Sequence, residues 1–132
     1  GALVYDDYAH NPAKIRAFIS ALREKYPDKR IILLFQPHLA SRTKSLFAEF
    51  TASFDNVEEI LIAPIFLARE TPDPEINSEK LADALRMRGK TAWAFASLEE
   101  LAENVRGKFR AGDIVATVGA GDIYTIIPRI ID

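Results

Sequence analysis

Along this chain, short unbroken apolar runs alternate with segments whose apolar residues recur at helical spacing, and the alternation repeats five times. Ala2-Leu3-Val4-Tyr5 is the first run, leading into Asp6-Asp7. After Asn11-Pro12, residues Ile15, Phe18, Ile19 and Leu22 fall at i, i+3, i+4 and i+7. That spacing is one face of a helix, and Pro12 suits its first turn. Ile31 to Phe35 predicts a second strand, and Ser41 is placed to cap a helix burying Leu46, Phe47, Phe50 and Phe54. Ile60-Leu61-Ile62 is the third strand. The Pro64 to Pro74 connection after it is too long for a minimal turn and reads as a candidate binding loop. Asn77 or Ser78 then opens a helix carrying Leu81, Ala84 and Leu85. Thr91 to Phe95 is the fourth strand, with Trp93 expected in the core, and Ser97 to Val105 the next helix. Ile114 to Val118 is the fifth strand, and Gly119-Ala120-Gly121 turns into a last helix with Ile123, Ile126, Ile127 and Ile130.

Strands that are apolar throughout are buried on both faces, and strands alternating with helices form a parallel sheet because each crossover needs the length of a helix. The pattern predicts one α/β domain over residues 1–132. Its architecture is a three-layer sandwich with a mostly parallel, Rossmann-like sheet of about five or six strands. At 48% hydrophobic residues the chain can bury a core without covalent staples, and with no Cys it has none. The absence of Cys removes thiolate nucleophiles and Cys-ligated metal centres and fits a reducing compartment, so the cytoplasm is the expected location. A net charge of -2 with no basic block argues against nucleic acid as a partner. The longest apolar stretches fall well short of the ~20 residues of a membrane helix.

Ligands of open parallel sheets bind outside the carboxyl ends of the strands, where loops and helix N-termini converge. Sorted by that edge, the polar residues form three clusters: Asp6-Asp7-Tyr8-Ala9-His10-Asn11, Gln36-Pro37-His38 with Arg42, and Gly119-Ala120-Gly121-Asp122. Both histidines of the chain are among them. The paired acids suggest the magnesium site of a response-regulator receiver. That reading also needs an Asp at the end of the third strand and a Lys at the end of the fifth, where this chain has Pro64 and Gly119. Gly119-x-Gly121 suggests a dinucleotide turn, but Tyr124 stands where the third glycine belongs, so the pair reads either as a helix-entry turn or as a backbone N–H cradle for an anion. Arg42, at the start of a helix where the dipole disfavours a cation, is either a solvated surface residue or a ligand-gripping one. His38 is equally a ligand contact or a structural group fixing the turn after Pro37.

Taken together, Asp6 to Pro12, Phe35-Gln36-Pro37-His38 with Ser41-Arg42-Thr43, and Gly119 to Ile123 closely resemble three motifs of the Mur ligase C-terminal domain, in the expected order along the whole chain. Ser78-Glu79-Lys80-Leu81 resembles the branch that acts on UDP-N-acetylmuramate and L-alanine. The resemblance implies a cytoplasmic, ATP-dependent ligase of peptidoglycan synthesis, and hence of cell shape and division. In such a ligase ATP phosphorylates the substrate carboxylate and an amine displaces phosphate from the acyl phosphate. ATP and Mg would be bound mainly by a central domain absent from these residues, and the UDP-sugar by an N-terminal one. This chain would be the lid that closes over ATP and receives the amino acid. By position, Asp7 and Tyr8 would face the ATP ribose, and His10 and Arg42 would be the catalytic pair. His10, Asn11, His38, Arg42, Gly119, Ala120, Gly121 and Asp122 would contact the acceptor, with no metal ligand among them.

Two positions depart from that branch, which has a second His where this chain has Asn11 and an Arg where it has Leu39. They keep open a relative that attaches a recycled murein tripeptide. The sequence also lacks the G-x-x-x-x-G-K-[ST] phosphate loop, so these residues alone are expected to be inactive, and a stand-alone binding module is the remaining alternative.

Overall fold

In the computed structural model, which describes residues 1–131, five parallel strands form a single sheet in the order β1-β5-β2-β3-β4. The strands are β1 (Leu3–Asp7), β2 (Ile31–Phe35), β3 (Glu59–Ile62), β4 (Thr91–Ala94) and β5 (Ile114–Val118). Every residue of β2 and β5 is buried, as their largely apolar runs require, because each has a strand on both sides and helices on both faces.

Helices α1 (Pro12–Lys25), α2 (Ala40–Ser45), α3 (Phe47–Thr51) and α4 (Ser78–Met87) follow β1, β2 and β3 in turn. Ile15, Ile19, Phe50 and Leu81 pack with Phe35 and Ile62 on one face of the sheet. Helix α5 (Leu98–Val105), a 3-10 turn (Ile123–Ile126) and α6 (Ile127–Ile130) cover the other face, where Leu101, Ile123 and Ile130 meet Ile32, Leu34 and Val115. The change of face has a topological cause. The path from β4 to β5 runs back across the sheet, and a right-handed crossover in that direction must lie on the opposite side. The predicted three-layer α/β sandwich with a parallel sheet is what the chain adopts.

Local expectations needed correction in five places. The helix expected after β2 is broken at Leu46 into α2 and α3, and Phe54, though fully buried, lies beyond both. Ser41 does not cap it: the cap position is Leu39, which offers no side-chain bond, and the Ser41 hydroxyl is engaged by Glu70. In α4 the buried face is Leu81, Ala82 and Leu85, with Ala84 only half-buried, and Asn77 is the cap. Trp93 is 54% exposed, because β4 is an edge strand and the two-residue alternation that buries Ala92 turns Trp93 away from the core, where the Arg86 guanidinium covers its ring. The Ile-rich tail is not one helix either. Pro128 cannot donate to the helical ladder, and the chain winds as a 3-10 turn before the single α turn that follows.

Candidate functional site

Register explains why the three clusters meet. Asp7 and Phe35 both pair with Val118, so the strand ends are level and Tyr8, Gly119 and Gln36 leave the sheet side by side. The backbone continues the pairing one step further: Gly119 N donates to Asp7 O at 3.1 Å and Gln36 N to Val118 O at 2.9 Å. The sequence-derived site residues therefore gather at the carboxyl ends of three adjacent strands, on the loops that leave them and, for Arg42, on α2, at the point where the following helices diverge to opposite faces of the sheet.

In the first loop Asp7 Oδ2 accepts the Ala9 N–H at 2.9 Å, which closes a tight turn and points the chain toward α1. Asp6 is structural: its Oδ1 accepts from Thr117 Oγ1 at 2.6 Å. Asn11, expected at the acceptor, caps α1 by accepting the Lys14 N–H at 2.9 Å. His10 Nδ1 lies 3.1 Å from Tyr8 O. A carbonyl only accepts, so that nitrogen carries the proton and Nε2 is the free acceptor.

Side chains then form a row. The His10 ring meets Tyr8 edge-on at 5.9 Å and His38 at 6.0 Å, and His38 stacks on Phe66 at 5.5 Å. An Arg42 guanidinium nitrogen lies 3.2 Å from His38 Nδ1. Arg42 has only donors, so His38 Nδ1 accepts and its proton resides on Nε2. Burial, then the Arg42 charge, then His10 hold the His38 pKa below the ordinary histidine value, which keeps the ring neutral and able to accept.

The sequence reading missed Phe66, Glu70 and the role of Gln36. Phe66 lies in the Pro-rich connection, whose backbone bridges back to this site: Leu39 N donates to Phe66 O and Phe66 N to Pro37 O, each at 2.8 Å. Leu39 is held there at φ 70°, a conformation that side chains rarely adopt. Glu70 supplies the cap that α2 lacks, accepting from the Ser41 N–H at 3.1 Å and from its hydroxyl. Lys44 ties the same connection down through Asp73 and Glu75. No periodic pattern marks Phe66 or Glu70, because their partners lie on other loops.

The clasp on α2 has a testable pH dependence. The Ser41 hydroxyl, then its N–H, hold Glu70 below the ordinary carboxylate range. A depressed folded-state pKa contributes stability above the unfolded value and loses it as pH falls through the folded one. At neutral pH, Glu70→Ala is expected to speed amide exchange at residues 40–42, and variant and wild type are expected to converge as pH falls through the lowered value. A gap that persists into acid contradicts the clasp.

Two hollows flank the row. One of about 430 Å³ lies against Asp7, Tyr8, Lys14 and Phe18, and another of about 430 Å³ lies beyond β3 and β4 among Pro64, Ile65, Ile76 and Phe95. Neither reaches His10, His38 or Arg42. Among the described residues no group of three or more His, Asp or Glu side chains is placed to hold a metal ion.

Fold and geometry define a parallel α/β domain with a histidine pair, an arginine and a glycine turn gathered at a switch point in its sheet. The chain belongs to the Mur ligase family: the family model for the Mur ligase, glutamate ligase domain matches residues 1–121. It is 43% identical over 126 residues to a UDP-N-acetylmuramate–L-alanine ligase of Clostridium kluyveri, covering 96% of this chain and 27% of that protein. It is 45% identical over 127 residues to the ligase of the same name from Desulfitobacterium hafniense, covering 96% of this chain and 28% of the other. Among solved structures, a UDP-N-acetylmuramate–alanine ligase from Thermotoga maritima aligns over 98% of this chain and 26% of its own, at 26% identity and TM-score 0.75. A murein peptide ligase from Psychrobacter arcticus shares the fold at 18% identity and TM-score 0.72, over 98% of this chain and 26% of its own. The chain thus spans about a quarter of the length of the curated relatives it matches.

Proposed function

We propose that this chain is the acceptor-binding lid of an ATP-dependent ligase that joins the carboxylate of UDP-N-acetylmuramate to the amino group of L-alanine. The observation that carries this reading is the likeness to L-alanine ligases over 96% of the chain, joined to a switch-point site where the ends of β1, β5 and β2 bring their motifs together.

The hollow beside Asp7 suits a nucleoside. Phe18 and Ala17 give it apolar lining, Tyr8 and Asp7 stand at one side, and Asp7 Oδ1 receives no hydrogen bond from the described residues. Its volume lies within the ~300–1,000 Å³ of small-molecule sites. Asp7 then accepts from the ribose hydroxyls, and Tyr8 closes over the ring system. Mg is held by residues outside this chain. ATP supplies the phosphoryl group that makes the carboxylate carbon electrophilic. The remaining work falls to positioning and charge. Arg42, oriented by His38, holds the acceptor carboxylate. His10, with Nδ1–H donated to Tyr8 O, presents Nε2 to take the proton that the amine loses as its lone pair forms the new C–N bond. The glycine turn packs tightly on Gln36 and Phe66 and so brings the β5 loop up to the acceptor crevice.

In the full-length ligase, Asp7→Ala is expected to raise the ATP KM by about tenfold, as for the loss of hydrogen bonds to a charged group, and to leave the acceptor KM largely unchanged. An unaltered ATP KM removes the ribose role. One competing acceptor is a murein tripeptide, because a murein peptide ligase shares this fold. Phosphate release by the full-length protein with UDP-N-acetylmuramate and either L-alanine or tripeptide separates the two. Turnover with L-alanine is the expected result, and turnover with tripeptide alone replaces it.

A further inference from the structure

The loops after β5 and β2 meet through one buried side chain. Gln36 is 3% exposed, and both ends of its amide are engaged: Nε2 donates to Asp122 Oδ1 at 2.7 Å, and Oε1 accepts the Ile123 N–H at 3.1 Å. Leaving a buried amide unpaired is unfavourable, so these two bonds restrict where residues 121–123 can sit. Both glycines of the turn are shaped by the same residue. A Cβ at Gly119 would lie 2.9 Å from Gln36 O, and one at Gly121 would lie 2.6 Å from Gln36 Oε1. The other wall at Gly121 is Phe66, whose ring stacks on His38, the residue that accepts from Arg42. Gln36 and Phe66 therefore clamp the β5 loop against the histidine–arginine row.

Asp122 itself is exposed and uses only Oδ1, and no described residue donates a hydrogen bond to its Oδ2. A carboxylate with one oxygen held by a fixed amide donor loses its rotational freedom, so its second oxygen keeps one direction instead of sweeping through many.

We propose that Gln36 is a positioning residue that orients Asp122 so that its free carboxylate oxygen binds the amino group of the acceptor. This rests on the ligase reading above and deepens it. An amino acid or peptide carries a carboxylate and an amine at fixed separation. Arg42 on α2, after the β2 loop, and Asp122 on the β5 loop supply the complementary charges, and Gln36 ties the β2 loop to the β5 loop.

The test is steady-state kinetics of the full-length ligase. Gln36→Glu keeps the size of the side chain and the acceptor for the Ile123 N–H, but sets a second carboxylate against Asp122 Oδ1. The expected result is an acceptor KM raised about tenfold, with the KM values for ATP and the UDP-sugar changed by less than about twofold. If Gln36→Glu does not fold, Asp122→Asn decides, because it retains an oxygen for Gln36 while removing the charge, and the same selective rise is expected. An unchanged acceptor KM in either folded variant, or equal rises in all three KM values, overturns the proposal. If the wild type turns over no amine at all, it is the ligase reading that fails. Amide exchange at residues 119–123 then decides the lock alone: faster exchange in Gln36→Glu supports it, and unchanged exchange overturns it.

Discussion

Replacing Arg42 by Ala in the full-length ligase is expected to raise the KM for the amino-acid acceptor between about ten- and a hundredfold while the ATP KM stays within about twofold. The size follows from the chemistry of the lost contact. A guanidinium–carboxylate hydrogen bond is worth roughly 1.5–3 kcal/mol, and each ~1.4 kcal/mol is a factor of ten. The selectivity follows from position: Arg42 lies on α2 and is oriented by His38, whereas Asp7 and the hollow assigned to the nucleoside lie on the β1 loop and α1. Arg42→Lys is expected to recover little, because an ammonium cannot donate in the same fork to a carboxylate and to His38 Nδ1 together. Equal effects on both substrates would remove Arg42 from the acceptor side.

Gly121→Ala is expected to be the most damaging single-methyl change in the site. A Cβ there would lie 2.6 Å from both Gln36 Oε1 and Phe66 Cγ, and neither can easily yield: Gln36 is buried with both amide ends bonded, and Phe66 lies in a loop pinned to Pro37 and Leu39. Overpacking of this kind costs about 1–3 kcal/mol, and a domain of this size should lose roughly 4–11 °C of thermal midpoint. Gly107→Ala is the control. Space around Gly107 is open but its φ is +74°, so the variant is expected to show about 1 kcal/mol of backbone strain with no change in acceptor KM. If both variants unfold at the same temperature and bind acceptor equally well, crowding at Gly121 is not what keeps a glycine there.

The sheet was legible because β2 is apolar at every position and β5 at all but Thr117, and the helices between strands repeat every three or four residues, signals carried by consecutive residues. Motif order brought the site residues together before any strand order was known, since parallel strands all present their carboxyl ends on one edge. Errors arose where distant partners overrode local chemistry. Ser41 looks like a cap, yet Glu70, 29 residues away, takes its hydroxyl and caps the helix in its place. Trp93 has a core residue's composition, but burial depends on whether a strand lies at the sheet edge, which hydrophobic alternation does not encode. Asn11 also caps α1, a role that Asn before Pro at the start of a periodic segment signals locally. The glycines at 119 and 121 read either as a helix-entry turn that relieves crowding or as an anion cradle, and the structure shows the crowding. Their requirement for glycine comes from Gln36 and Phe66 pressing on them, a contact between three loops with no sequence pattern of its own.

The central claim, that the crevice between the β1, β5 and β2 loops receives the acceptor amino acid, is tested most directly by a crystal structure of the full-length ligase with its ligated product. The account predicts the alanyl carboxylate within hydrogen-bonding distance of Arg42 and the new amide nitrogen on the His10 side of the crevice. Product density in the apolar hollow beside Pro64 and Phe95, with Arg42 free, would contradict it.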